Sequence, residues 1–287
     1  MTDPGPLVGV TGATGRLGSR VARRLAAAGA AQRLLVRDPA RAPQLPGAAS
    51  VRAPFADHSA VRAALEGVPT VLTVSASETA DRVQQHVSFI DAAVAAGVEH
   101  LVYTSFYGAS PDCTFTLGRD HYATEQHIRA TGLRFTFLRD NFYADILPVL
   151  AGDDGVIRGP AADGRVSAVA QDDIADAAAA ILRNPGQHTG ITYSLTGPQA
   201  LSLDEVAETL SAESGRPVRY QRETVEEAYA SRAPSGAPRW QLDAWVSTYT
   251  AIANGEVAGI TDDIPTLTGH PATSLAELLR DGRSAYP

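Results

Sequence analysis

The sequence predicts an α/β protein: a Rossmann-like, doubly wound parallel sheet with a small C-terminal α/β substrate lobe. Apolar strands and amphipathic helices alternate through the first half of the 287 residues. A glycine-paced turn joins the first strand to the first helix, as in sheets that bind dinucleotides. After about Leu150 the alternation loosens. We therefore predict an NAD(P)-binding domain over residues 1–150 and a substrate lobe over residues 151–287, part of which returns to the sheet.

Hydrophobic periodicity places the elements of the first half in order. The predicted strands are Leu7–Thr11, Arg33–Val36, Ala49–Arg52, Thr70–Val74, His100–Thr104 and Arg134–Leu138. The predicted helices are Gly15–Ala28, Ala40–Leu45, Ser59–Leu65, Glu78–Ala96 and Asp120–Ala130. Glycine follows several of these helices, as it often does at a helix C-cap.

The second half has more widely spaced elements. Gly152–Gly164 is rich in glycine and aspartate, which is typical of a surface loop or a short hairpin. Ser202 and Glu205 have the spacing of a capping box at the start of a helix. The predicted helices are Asp172–Leu182, Ser202–Ser214, Val225–Ala230 and Arg239–Ala253, and the predicted strands are Ile191–Leu195 and Val218–Gln221.

The composition excludes several classes of protein. The net charge of −8 and the lack of a basic tail argue against nucleic acid as a partner. The single cysteine, Cys113, excludes an internal disulfide and a cysteine-rich metal site, and the scattered histidines lack metal-ligand spacing, so no metal is predicted. No apolar segment has the length of a membrane span, and the first residues do not resemble a signal peptide. We expect a cytoplasmic protein that does not bind membranes.

All 24 basic residues are arginine, and the chain contains no lysine. Schiff-base catalysis and a P-loop lysine are therefore impossible. The Tyr-x-x-x-Lys pair, by which most short-chain dehydrogenases activate a catalytic tyrosine, is also impossible. Arginine is a poor substitute for that lysine because it differs in shape and does not deprotonate.

The glycine-paced turn is the strongest indication of a ligand site. Gly12 permits a tight turn, Gly15 lets backbone N–H groups approach a pyrophosphate, and Gly18 lets the helix pack closely on the strand. The phosphates would lie at the helix N-terminus. The spacing is G-x-x-G-x-x-G, and a plain loop is the alternative. The predicted cofactor-binding residues of this turn are Thr11, Gly12, Ala13, Thr14, Gly15, Arg16, Leu17 and Gly18.

The end of the second strand should contact the adenosine ribose, about twenty residues after the glycines. Asp38 would accept a hydrogen bond from a 2′-hydroxyl and favour NAD, whereas Arg37 would pair with a 2′-phosphate and favour NADP. Asp38 precedes Pro39 and is needed as an N-cap, whereas Arg37 has no such role. We therefore predict NADP(H), with Arg16 or Arg41 as helpers; a solvated surface arginine is the alternative for Arg37.

Two further stretches follow predicted strands and should face the same crevice. Their hydroxyl and backbone groups could hold the ribose nearer the nicotinamide, or they could serve only as turn residues. These predicted cofactor-binding residues are Ser75, Ala76 and Ser77 after the fourth strand, and Thr104, Ser105 and Phe106 after the fifth.

Several motifs together resemble one family. They are the glycine turn with Arg37, Tyr103-Thr104-Ser105, His121-Tyr122-Ala123-Thr124-Glu125, and Phe137-Leu138-Arg139-Asp140-Asn141-Phe142-Tyr143. The chain resembles the NmrA-like group of atypical short-chain dehydrogenases, nearest to bacterial NADPH-dependent quinone oxidoreductases and triphenylmethane reductases. The resemblance implies NADP(H) bound by the turn, by Arg37 and by the Ser75 and Thr104 strand ends. It also implies a substrate pocket between the sheet and the C-terminal lobe.

Four residues are the candidates for catalysis. His121 is a candidate proton donor because histidine titrates near neutral pH. Tyr122 lies on one helical face with Gln126, where some relatives carry lysine, and would be a weak acid or base without a cation beside it. Asn141 and Tyr143 are predicted as wall residues near the nicotinamide, with Phe106 and Tyr107 opposite. Simple packing is the alternative for each of them.

These observations favour an NADPH-dependent oxidoreductase that transfers hydride to a quinone or another electron-poor conjugated or aromatic acceptor. Such an acceptor delocalises the incoming charge, so the protein need only bind, orient and exclude water. Two alternatives stay open: a non-catalytic NADP(H)-sensing regulator that binds a partner protein, and a biosynthetic ketone, imine or enone reductase. The expected partner is a small aromatic or quinone-like substrate. The natural substrate and the oligomeric state, including a homodimer, are left open by the sequence.

Overall fold

A computed structural model of the chain describes residues 6–282. In chain order, its strands are β1 Val8–Thr11, β2 Gln32–Val36, β3 Ala48–Arg52, β4 Thr70–Thr73, β5 His100–Phe106, β6 Arg134–Asp140, β7 Val156–Gly159, β8 Arg165–Val166, β9 Thr192–Leu195, β10 Leu201–Ser202 and β11 Arg219–Arg222. The α-helices are α1 Arg16–Ala27, α2 His58–Leu65, α3 Arg82–Ala95, α4 Thr116–Ala130, α5 Leu147–Leu150, α6 Gln171–Arg183, α7 Leu203–Ser214, α8 Val225–Arg232, α9 Arg239–Ala253, α10 Asp263–Thr268 and α11 Leu275–Arg280. Four short 3₁₀ helices lie at Pro39–Arg41, Ala144–Ile146, Pro185–His188 and Ala233–Ser235.

The main sheet has the strand order β3-β2-β1-β4-β5-β6-β9. The strands from β3 to β5 pair in parallel, and the order reverses between β1 and β4. This is the doubly wound arrangement that binds nucleotides at the point of reversal, so the predicted Rossmann-like fold is confirmed. None of the helices among residues 6–282 is both long and apolar enough to span a membrane.

The apolar strands form where both faces of the sheet are covered. Every residue of β1, β4 and β5 is buried, as expected for parallel strands with helices on both sides. Phe89 and Ile90 of α3 pack in one apolar cluster with Leu65 of α2 and with Leu101 and Tyr103 of β5. This core holds the strand ends, and the loops after them, in fixed positions.

The structure corrects three of the predicted elements. The helix predicted over Ala40–Leu45 is absent, and only the 3₁₀ turn Pro39–Arg41 forms there, because Pro43 and Pro46 exclude helical hydrogen bonds. The helix predicted from Glu78 begins at Arg82. The stretch Gly152–Gly164 contains β7, which pairs in parallel with β11 instead of forming a local hairpin.

The chain divides into two compact units. The first comprises the chain up to Ser105, Asp120–Arg139 and Ile174–Tyr193, and the second comprises Phe106–Arg119, Asp140–Asp173 and the chain from Ser194 onward. This division differs from a single boundary at residue 150, because α6 and β9 extend the first unit after that point and the stretch after β5 joins the second. The two small sheets, β8 with β10 and β7 with β11, lie in the second unit.

A buried histidine in the core of the first unit gives a test of its stability. His100 Nε2 bonds to Thr136 Oγ1 at 2.8 Å, and Thr136 Oγ1 in turn donates to the carbonyl of His188. The His100 ring is therefore the neutral Nε2–H form. Burial, and secondarily the charge of Arg134, lowers the pKa of His100 from 6.5 to about 4.

We expect acid to destabilise the wild-type protein more steeply than a His100→Leu variant. Below pH 6.5 the unfolded chain binds a proton at His100, whereas the folded protein does not bind it until about pH 4. Acid therefore favours unfolding in this range. The difference in slope should be about 1.4 kcal/mol per pH unit between about pH 6 and pH 4.5. Urea denaturation of both proteins across this range measures it, and parallel curves would contradict it.

Candidate functional site

The main cavity of the first unit lies where the strand order reverses between β1 and β4. Its volume is about 390 Å³. Four segments form it: the β1–α1 turn, the end of β2, the loop after β3 and the loop between β4 and α3. The lining residues are Gly12, Thr14, Gly15, Arg16, Leu17, Gly18, Leu35, Val36, Arg37, Arg41, Ala53, Phe55, Val74, Ser75, Ala76, Ser77, Thr79 and Gln85. We call this cavity the switch-point pocket.

The β1–α1 turn has the geometry that its glycines predict. Gly12 has a φ of +65°, a conformation that a side chain would strain. The N–H of Gly15 donates to the carbonyl of Gly12 at 2.8 Å and closes the turn. A Cβ on Gly18 would lie 2.3 Å from the Gly12 oxygen and 2.7 Å from the Thr11 oxygen. Only glycine at this position lets α1 pack so closely on the end of β1.

The N-terminus of α1 is suited to an anion. Gly15 is the N-cap, so no side chain caps the first turn, and that turn contains no acidic residue. The N–H groups of the first turn and the positive end of the helix dipole therefore lie at the wall of the pocket. Arg16, Arg37 and Arg41 line the pocket, and its described lining includes no aspartate or glutamate. Glycine turn, helix end and three cations together form a site for phosphate groups.

Asp38 caps the turn after β2, as the sequence predicts, and Arg37 lines the pocket. Asp38 Oδ1 accepts a hydrogen bond from the N–H of Ala40 at 3.0 Å and caps the 3₁₀ turn that follows. Asp38 is absent from the pocket lining, whereas Arg37 is exposed and lines it. The guanidinium at the end of β2 is therefore available to a ligand.

Threonine hydroxyls hold the loop after β4 in place. Thr11 Oγ1 accepts from the N–H of Val74 at 2.8 Å, and Thr104 Oγ1 accepts from the N–H of Ser75 at 2.9 Å. Neither threonine lines the pocket, although both are predicted to bind the cofactor. Their hydroxyls instead fix the backbone of a segment, Ser75–Ser77, that does line it.

Three other predicted cofactor residues lie outside the lining. Ala13 is fully buried. Ser105 Oγ donates at 2.6 Å to Glu125, a buried carboxylate that also accepts two hydrogen bonds from Arg139. Phe106 packs against Phe115 in the second unit, with ring centroids 4.7 Å apart and the rings tilted by 50°. Their roles toward a cofactor stay predictions.

Sequence reasoning missed one wall of the pocket. Ala53 and Phe55 follow β3, Thr79 lies in the loop between β4 and α3, and Gln85 lies in the first turn of α3. Phe55 packs on Phe89 with ring centroids 4.5 Å apart, so it offers a fixed apolar surface. The end of β3 was a usable signal, because every parallel strand of such a sheet ends at the ligand-binding edge.

His121 is held in a buried network. Its Nε2 lies 2.9 Å from the Arg82 guanidinium, which can only donate, so Nε2 accepts and Nδ1 carries the proton toward the Tyr103 hydroxyl at 2.9 Å. Burial, and next the charge of Arg82, lowers the pKa of His121 well below its usual value. A neutral ring with this tautomer is a poor proton donor, so the geometry favours a positioning role. Tyr122, the neighbouring candidate, is half-buried.

The candidates on and after β6 lie in the second unit. The side chain of Asn141 is fully used: its amide donates to Ser167 Oγ and to the Val257 carbonyl, and its oxygen accepts from the N–H of Phe142. The Tyr143 hydroxyl donates to Asp140 Oδ2 at 3.4 Å. Asp140 is buried, and burial raises the pKa of its carboxyl well above the usual value. The catalytic roles predicted for these residues stay predictions.

The fold and the pocket together define a dinucleotide-binding α/β protein of the Rossmann type. Comparison with protein families gives a more particular identity. The model of the NmrA-like family matches residues 6–249, and the chain belongs to this family. The resemblance seen in the sequence motifs is thereby confirmed.

Several named relatives of this chain are oxidoreductases. It is 36% identical to an NAD(P)H azoreductase of Xenophilus azovorans, over 96% of this chain and 98% of that protein. Among solved structures, it is 31% identical to an NADPH-dependent quinone oxidoreductase of Escherichia coli complexed with NADPH, with a TM-score of 0.88 over 96% of this chain and 99% of the other. A triphenylmethane reductase of a Citrobacter species, complexed with NADP(H), gives 30% identity and a TM-score of 0.85 over 96% and 99%.

Proposed function

We propose that this protein is an NADPH-dependent oxidoreductase that transfers hydride to a quinone or a dye-like, electron-poor aromatic acceptor. The observation that carries the proposal is the switch-point pocket, which combines an uncapped helix N-terminus with three arginines and no acidic side chain among its described lining. The azoreductase, the quinone oxidoreductase and the triphenylmethane reductase support the acceptor class.

The residues of the pocket suit the parts of NADP(H). The N–H groups at the start of α1, beyond Gly15, would hold the pyrophosphate. Arg37 would pair with the 2′-phosphate, with Arg41 beside it in the lining. Ala53 and Phe55 offer the apolar surface on which a purine ring packs. Bound in this way, NADPH would supply a hydride, which is two electrons and one proton, to the acceptor.

The chain's own contribution is binding and orientation. A quinone that accepts a hydride becomes a hydroquinone anion, which takes a proton from water without a protein acid. An extended conjugated acceptor spreads the added charge in the same way, so the absence of lysine is no obstacle. The roles toward the acceptor that the sequence suggests for Tyr122, Asn141 and Tyr143 stay predictions. Because the reductant is cellular NADPH, we propose the cytoplasm as its location.

Turnover of NADPH is the test of this function. We expect the purified protein to oxidise NADPH, followed by its absorbance, only when a quinone, an azo dye or a triphenylmethane dye is added. Activity should be far higher with NADPH than with NADH. A Gly15→Ala variant is the negative control, which should lose affinity for NADPH. Its added methyl group meets only the Gly12 oxygen, at 3.2 Å, and otherwise enters the open space where the pyrophosphate would lie.

The outcome separates the reductase from its rivals. Tight NADPH binding without turnover of any acceptor would favour the sensing regulator. Turnover confined to simple ketones, imines or enones would favour a biosynthetic reductase. Failure to bind either coenzyme would contradict the assignment of the pocket itself.

A further inference from the structure

The backbone of one residue in the wall of the switch-point pocket, Ala76, is held on both its N–H and its carbonyl by buried side chains. The N–H of Ala76 donates to His86 Nε2 at 2.9 Å, and the carbonyl of Ala76 accepts from Arg82 Nε at 2.9 Å. His86 is fully buried and Arg82 is 5% exposed. Ala76 lines the pocket between Ser75 and Ser77, whereas Arg82 and His86 do not line it.

The state of the His86 ring follows from its partners. Nε2 accepts from a backbone N–H, so Nδ1 carries the ring proton and donates to Thr124 Oγ1 at 2.9 Å. Thr124 in turn donates to the Asp120 carbonyl at 2.8 Å. Burial, with the charge of Arg82 second, lowers the pKa of His86 to about 3. The acceptor toward Ala76 is therefore present throughout the neutral range.

Arg82 is itself fixed by α4 and β5. Its Nη2 donates to His121 Nε2 at 2.9 Å, and His121 Nδ1 lies 2.9 Å from the Tyr103 hydroxyl. Asp120 Oδ2 is 3.7 Å from Nη1 and partly balances the charge. Two side chains of α3 thus hold the backbone of Ala76, and side chains of α4 and β5 hold those two in turn.

We propose that Arg82 and His86 are positioning residues for the dinucleotide. They fix the backbone of Ala76 and so hold the Ser75–Ser77 segment against the bound coenzyme. This inference rests on the proposed function, because it takes NADPH as the occupant of the pocket. Loss of the His86 acceptor leaves the Ala76 N–H without its partner and lets the peptide turn. The segment then has to be ordered again by the ligand, which weakens binding.

Paired variants of His86 test the proposal. His86→Leu removes the acceptor, whereas the amide oxygen of His86→Gln can reach the place of Nε2 and accept from Ala76. His100→Leu is the matched control, a buried histidine of the same unit that does not touch the pocket. We expect the dissociation constant for NADPH to rise about tenfold in His86→Leu, to recover to within about threefold in His86→Gln, and to stay unchanged in His100→Leu.

Coenzyme affinity and its rescue by His86→Gln are the readouts that a merely structural role would not move. Ala76 belongs to a different segment of the pocket lining from Arg37 at the end of β2, so His86→Leu should weaken NADPH and NADH by the same factor. The KM for NADPH should rise while kcat changes little. A variant that loses stability to urea but binds both coenzymes as the wild type does would overturn the proposal.

Two measurements keep the test decisive if His86→Leu does not fold. The ¹⁵N spectrum of the wild-type histidines should show His86 with an unprotonated Nε2 that does not titrate in the neutral range and that shifts when NADPH is added. A His86 ring that titrates like an ordinary histidine, or ignores NADPH, would overturn the inference. The wild-type titration with NADPH tests the proposed function separately, because its failure would be seen before any variant is compared.

Discussion

Replacing Gly18 by alanine is expected to abolish NADPH binding and to destabilise the protein by about 3 kcal/mol or more. The added Cβ would lie 2.3 Å from the Gly12 oxygen, 2.4 Å from the Gly12 carbon and 2.7 Å from the Thr11 oxygen. All three are backbone atoms, so no side chain can move aside to relieve the clash. The cost therefore lies at the upper end of what overpacking produces, and α1 must withdraw from β1 and open the phosphate site. Urea denaturation and coenzyme titration measure the two effects.

Two glycine variants make this result specific. Gly186→Ala is the control for the substitution itself, because its Cβ would have no neighbour within 4 Å; it should keep both stability and binding. Gly15→Ala should lose affinity for NADPH at a much smaller cost in stability than Gly18→Ala, since its closest contact, with the Gly12 oxygen, is 3.2 Å instead of 2.3 Å. If Gly18→Ala bound NADPH normally, the close packing of helix and turn would not be what forms the site.

Much of the pocket could be predicted because its causes are local. Three glycines at fixed spacing determine the turn at Gly12 and the approach of α1 at Gly18, and a strand end places Arg37. The exception in this part of the chain is the helix predicted over Ala40–Leu45. There the periodicity predicts a helix, but two prolines prevent it and only a 3₁₀ turn forms.

The remaining parts of the site depend on contacts between distant residues. Nothing near Ser105 in the sequence indicates that its hydroxyl turns to Glu125, twenty positions away. His121 has the sequence features of a proton donor, but Arg82 and Tyr103, which set its tautomer, come from α3 and β5. Phe55 follows β3, and no motif near it in the sequence indicates a ligand. Such groupings follow from the strand order, which a single sequence does not specify.

Replacing Arg37 by alanine is expected to weaken NADPH about a hundredfold and to leave NADH nearly unchanged. Arg37 is exposed at the end of β2, and the neighbouring Asp38 is occupied in capping the next turn. Only NADPH carries the 2′-phosphate, and charge-assisted hydrogen bonds to such a group contribute about 1.5–3 kcal/mol, which is about 10- to 150-fold in affinity. Titrations of both coenzymes into both proteins measure the ratio of the two affinities.

The salt dependence and a second arginine variant identify the contact. The advantage of wild type over Arg37→Ala should shrink at high ionic strength, because an exposed ion pair is screened. Arg62→Ala is the matched control: Arg62 is exposed on α2 and absent from the pocket lining, so its loss should leave the NADPH-to-NADH ratio as it is. Equal weakening of both coenzymes by Arg37→Ala would mean that the guanidinium supports the pocket without contacting the 2′-phosphate. Arg41, which also lines this end, would then be the residue to replace.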